Sequence, residues 1–194
     1  NRFYSPGIET GDYIYVSGQG PRRPDGSLPP TFAAQVQQAL DNLKSVVEAA
    51  GLTMEHVVYT QVYLTQVYLE DISKYGEMNR VFAQVFTKTP PARAVLGVAR
   101  LPEPSIQINA IAVRNLAERR AVYPPGYKSD EPAAPGILTR YQLFVSGMLG
   151  SDPATGKVPD DPAAQVDLAL DRMKALVEAA GLDLRHMVFV NPYL

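Results

Sequence analysis

The chain is predicted to be an α+β protein: one complete unit followed by a second, incomplete copy of it. Apolar residues recur at helical spacing over 31–50 and 71–86. Between and around these helices, stretches 13–18, 57–69, 94–101 and 105–113 are rich in β-branched and aromatic residues. One unit therefore reads strand, helix, strand, helix, strand, strand. The opening then returns. Residues 134–147 match 5–18, and 163–194 match 33–64 at a shift of 130 with 18 of 32 positions identical.

In order, Arg2 to Pro6 are short and aromatic, and Gly11-Asp12 makes a turn into the strand Tyr13–Gly18. The Pro- and Gly-rich loop from Arg22 to Pro30 leads to Thr31, which caps a helix carrying Phe32, Val36, Leu40, Leu43 and Val47 on one face. Gly51 suits its C′ position. From Val57 to Leu69 a pentad is duplicated, Thr60-Gln-Val-Tyr-Leu64 followed by Thr65-Gln-Val-Tyr-Leu69. An odd repeat inverts the faces of a strand, so a bulge or loop is expected in the second copy. A helix follows over about 71–86, with Ile72, Tyr75, Met78, Phe82, Val85 and Phe86 inward. Pro90 and Pro91 stop it, since each fixes φ and lacks an N–H. Arg93 then stands at the mouth of a buried strand, 94–101, where its guanidinium fork suits a carboxylate. The strand over 105–113 closes the unit.

The domain boundaries read as 1–115, a Pro- and charge-rich linker over 116–133, and a partial repeat over 134–194. In the second copy Asp161 caps a helix with Pro162 at its first position. Its apolar stripe, which includes Val166, Leu170, Leu176 and Val177, must lie on a sheet to be buried. Strands 141–147 and 187–194 are too few for that. Residues 134–194 are therefore expected to pack on the first sheet, on another copy, or on a C-terminal continuation, the last being preferred.

A net charge of −2 and a pI near 5.7 argue against nucleic acid as a partner. The pairs Arg22-Arg23 and Arg119-Arg120 read as solvated loop charges. The absence of Cys excludes disulfides and thiol nucleophiles. No apolar run approaches a membrane span, and a cytoplasmic location is the expectation. His56 and His186 occupy equivalent positions just after a helix and read as structural, suited to the helix C-terminal dipole. No acidic spacing suggests a metal.

The phrases Val-Ser-Gly-Gln over 16–19, Gln38-Ala-Leu-Asp-Asn-Leu-Lys-Ser-Val-Val-Glu-Ala-Ala-Gly-Leu52, Met78-Asn79, Pro90-Pro-Ala-Arg-Ala-Val95 and Val98-Ala-Arg-Leu-Pro102 resemble the RidA/YjgF family, also called endoribonuclease L-PSP. The resemblance covers 3–113 and, truncated, 134–194. It implies a chorismate-mutase-like α+β fold, a β-sheet with two helices on one face, repeated here in tandem with the second copy incomplete. It also implies a homo-oligomer, a trimer or pseudo-trimer with sites between subunits, and cofactor-free hydrolysis of 2-imino acids to 2-oxo acids and ammonia.

Carried over residue by residue, Arg93 matches the arginine that grips the substrate carboxylate, Tyr4 the tyrosine that closes the pocket, and Asn79 the asparagine of the second helix. Ser17 and Gly18 match the serine-glycine end of the first strand, Gly18 offering its N–H. Val95 falls where many members have cysteine. Asn109 is read as standing where imine-hydrolysing members carry the glutamate that activates water; an amide can hold water but is no general base. In the second copy Ala133 takes the place of Tyr4, and Arg93 has no counterpart. The leading expectation is thus a deaminase of a 2-imino or enamino acid with Arg93 and Asn109 at its centre. The alternative is a non-catalytic module that binds a small carboxylate, and an endoribonuclease comes third.

Overall fold

The protein is described from a computed structural model, which describes residues 4–65, 72–102, 105–129, 131–152 and 155–193. Gly7–Thr10 (β1) and Tyr13–Gln19 (β2) form an antiparallel hairpin. Its two-residue loop needs a left-handed φ, which Gly11 supplies at +52°. The sequence does not reveal β1, since four largely exposed residues carry no alternation. Helix α1 (Phe32–Ala49) starts where Thr31 Oγ1 accepts the Ala34 N–H at 3.3 Å, and it ends before Gly51 at φ +77°.

Strand β3 (Val57–Thr65), helix α2 (Ile72–Val85), β4 (Ala92–Val98) and β5 (Ile106–Val113) complete the unit. The sheet order is β1-β2-β5-β3-β4. Only β3 and β4 are parallel, and α2 lies between them in sequence. The first pentad lies wholly in β3; the bulge or loop expected in the second falls outside the described residues. Strand β4 begins earlier than expected, because Ala92 already pairs with Tyr59. Arg93 therefore sits inside the strand rather than at its mouth.

One face of the sheet carries both helices. Ile14, Val16, Val62, Leu64, Ile106 and Ile108 meet Val36, Leu40, Leu43 and Val47 of α1 and Met78 and Phe82 of α2 in one buried cluster. Each such side chain contributes about 1.5–3 kcal/mol by leaving water.

The C-terminal part of the chain covers the other face. Residues 116–133, read as a linker, hold a 3₁₀ turn and strand β6 (Arg120–Val122), which pairs with β7 (Gly136–Leu138); β7 pairs with β8 (Leu143–Val145). Ala134 and Ile137 pack with Tyr13, Val58, Ala92 and Val113 in a second cluster. Phe144 stacks on Tyr59 at 6.2 Å, and the Tyr13 hydroxyl lies 2.6 Å from Thr139 Oγ1. Arg119 is not a solvated loop charge. Its guanidinium donates to the carbonyls of Val57 at 3.2 Å and Thr89 at 2.8 Å, and burial pulls its pKa down.

Helix α3 (Pro162–Ala179) is capped by Asp161, as expected. It buries only Leu176 and Val177 of its stripe, with Leu176 against Gly136. Strand 187–194 does not form among its described residues, and Val188 is 97% exposed. The physical reason lies in the first unit, where the matching residues of β3 are held between β5 and β4. Among the described residues the second copy shows neither neighbour. His56 and His186 are structural, though by a different route from the helix dipole: each ring Nδ1 accepts the N–H of the residue three before it, Thr53 or Asp183, at 3.2 Å.

Candidate functional site

Strand β4 ends the first sheet, and its outer edge meets the second copy. The Ala134 N–H donates to the Pro91 carbonyl at 3.1 Å and the Gly147 N–H to the Arg93 carbonyl at 3.1 Å. Ser146 Oγ accepts the Arg93 N–H at 2.8 Å and donates to the Ala134 carbonyl at 2.6 Å. An open edge is thereby closed within the chain. Ser146-Gly147 is the repeat of Ser17-Gly18, so the internal repeat was the signal by which these residues were findable.

The backbone so fixed turns the Arg93 side chain onto α2. Its Nη2 donates to Asn79 Oδ1 at 2.7 Å and to Glu131 Oε2 at 2.6 Å, and Cζ lies 4.9 Å from the centre of the Phe82 ring. Glu131 Oε2 also accepts from Asn79 Nδ2 at 3.1 Å and from the Tyr75 hydroxyl at 3.2 Å. Only 2% of the Arg93 side chain is exposed. Burial pulls its pKa down, while Tyr75 and Glu131 oppose the shift; burial likewise pushes the Tyr75 phenol up. Arg93 Nη1 is buried and meets no acceptor among the described residues. The result is a desolvated guanidinium with one arm satisfied, an arrangement that can hold a second carboxylate oxygen.

Of the residues expected at the site, Arg93 and Asn79 lie in hydrogen-bond contact, and Val95 packs against the main core two residues along β4. The others lie elsewhere. Asn109 and Ser17 line a groove of about 290 Å³ on the opposite sheet face, with Tyr15, Tyr59, Gln61 and Ile111. Gln107 Nε2 donates to Asn109 Oδ1 at 3.4 Å. A Cβ at Gly18 would lie 2.4 Å from Gln107 Nε2, so a side chain there would require the Gln107 side chain to move aside. Tyr4 is 58% exposed and follows the β2 side of the sheet, where Ser17 Oγ donates to the Ser5 carbonyl at 2.7 Å. Tyr75 and Glu131 were missed. Tyr75 was read as a core residue, and nothing in the local pattern distinguishes Glu131 from other linker acids.

Among the described residues no group of His, Cys, Asp or Glu forms a metal cluster, and no helix is long and apolar enough to cross a membrane. The sequence profile of a family described as endoribonuclease L-PSP matches residues 1–114 and 130–194. The 2-iminobutanoate/2-iminopropanoate deaminase of Escherichia coli K12 is 41% identical over 116 residues, spanning 57% of this chain and 87% of that protein. A RutC family protein of Saccharolobus solfataricus is 36% identical, over 58% of this chain and 87% of its own. Among solved structures, the YjgF gene product of E. coli superposes with a TM-score of 0.53 at 41% identity, covering 58% of this chain and 88% of that one. E. coli TdcF with bound serine gives a TM-score of 0.53 at 34% identity, over the same shares.

Proposed function

The chain belongs to the endoribonuclease L-PSP family, that of the RidA and YjgF proteins, and from that premise we propose that it hydrolyses a small 2-imino or enamino acid to the 2-oxo acid and ammonia. One observation carries the reading: a buried guanidinium at Arg93 already holds a carboxylate and keeps one N–H arm over. A 2-imino acid presents a carboxylate beside the reacting carbon. Anchoring the carboxylate holds the C=N carbon in place; water adds there, the C–N bond of the carbinolamine breaks, and ammonia leaves. The name of the E. coli relative supports this substrate class, and the serine bound to TdcF supports a small amino-acid-like carboxylate.

A second reading is favoured by Asn109, an amide that offers no base in the back-face groove and accepts from a second amide, Gln107. On that reading the protein binds a carboxylate metabolite without turning it over. Arg93 and Asn109 face opposite ways in one chain, so a site built from both requires a homo-oligomer in which the groove of one copy meets β4 of another.

The test is ammonia release from 2-iminopropanoate generated in situ. Arg93→Ala should lower the rate per molar substrate by about 10–100-fold, the scale of one or two hydrogen bonds to a charged group. A wild-type rate no greater than the blank defeats the deaminase reading. Calorimetric binding of pyruvate without turnover would then support the second.

A further inference from the structure

We infer that Glu131 is an internal ligand of the Arg93 site, its carboxylate occupying the seat of the substrate carboxylate until the substrate displaces it. The inference rests on reading Arg93 as a carboxylate receptor. Three donors from two elements, Arg93 Nη2 on β4 and Asn79 Nδ2 and the Tyr75 hydroxyl on α2, converge on a single oxygen, Glu131 Oε2, at 2.6, 3.1 and 3.2 Å. That convergence is what a bound acid would meet.

The fit of Glu131 is nevertheless incomplete. It engages one arm of the guanidinium and leaves Nη1 buried without an acceptor among the described residues. The carboxylate of a small free acid can lie in the plane of the guanidinium and accept from both arms. Exposure points the same way. The Arg93 side chain is 2% exposed and that of Glu131 41%, so the glutamate lies on the solvent side and covers the approach.

Among the described residues the backbone of Glu131 is tied only to close neighbours, its carbonyl accepting the Ala133 N–H at 2.8 Å. Its N–H donates to Ser129 Oγ at 3.1 Å, and the first tie to the sheet follows at Ala134 and Pro91. At a shift of 129 Glu131 corresponds to Arg2, so the segment before the first copy carries no equivalent acid. A tethered acid competes at an effective concentration of about millimolar. If it is seated nine-tenths to ninety-nine hundredths of the time, it weakens the apparent affinity for a free acid about 10–100-fold.

Pyruvate, the product expected of 2-iminopropanoate, is the probe, titrated calorimetrically into the full chain. Glu131→Ala should bind it about 10-fold or more tightly than wild type. Glu131→Gln, which keeps a neutral acceptor on Arg93, should fall between, and Arg93→Ala/Glu131→Ala should lose the gain. Pyruvate should also raise the melting temperature of Glu131→Ala more than that of wild type. Equal or weaker binding by both Glu131 variants overturns the inference, as does a gain that survives removal of Arg93. Tight pyruvate binding by Glu131→Ala with no ammonia release would leave the internal ligand standing and defeat the deaminase reading instead.

Discussion

Arg93 pairs in register with Thr60 of β3, and Thr60 with Ala110 of β5, whereas Asn109 pairs with the next residue, Gln61. Successive side chains of a strand point to opposite faces, so Arg93 and Asn109 cannot converge within one sheet. A base installed at 109 therefore acts on an acid held by Arg93 only across copies. Asn109→Glu is expected to leave the deaminase rate of a monomeric chain unchanged. In an assembly that sets the groove against another copy's Arg93 it should raise the rate by about 10²–10⁴-fold, the usual contribution of a positioned base. Initial rates read beside the light-scattering mass separate the cases; a rise in a purely monomeric sample would put the substrate on the groove side.

At the scale of elements, α1 and α3 are near-duplicates placed in different surroundings. Leu40 of α1 is 1% exposed between the sheet and α2, and its counterpart Leu170 is 47% exposed. The two leucines share a sequence context and differ in what lies opposite. Leu40→Ala should cost about 2–5 kcal/mol in urea unfolding, the lost transfer and the cavity together. Leu170→Ala should stay within about 0.5 kcal/mol, as surface substitutions do. A comparable loss at both positions would mean that the stripe of α3 is covered in solution.

For the whole molecule, the feature of consequence is the second copy closing over the back of the first sheet. Burial there, with Phe144 stacked on the ring, pushes the Tyr59 pKa up from 10.0 to about 12, and Tyr193 and Tyr63 add to the shift. The folded protein then keeps a proton that the unfolded chain gives up. Stability from this source is complete below about pH 10 and is lost as pH rises towards 12. Tyrosinate absorbance should show a late-ionising component to which Tyr59 contributes beside Tyr13, Tyr63 and Tyr75, and Tyr59→Phe should diminish it and flatten the loss of stability. A titration in which Tyr59→Phe removes an ordinary phenol would mean that the back face is open to water.

The sequence by itself determined the helices and four of the first unit's five strands, and it singled out Arg93 and Asn79 one at a time, because periodicity, caps and proline stops act over a few residues and a family motif is matched residue by residue. Thr31, Gly51 and Asp161 did what their types dictate wherever they stand. Only the tertiary structure decided that 187–193, though matching β3, form no strand, since a strand exists by hydrogen bonding to neighbours and none of the described strands pairs with them. It also decided that 120–122 pair with β7, that Asn109 faces away from Arg93, and that Glu131, 38 residues along the chain, reaches the guanidinium. Each is a choice of partner between distant segments, and local pattern carries no record of it.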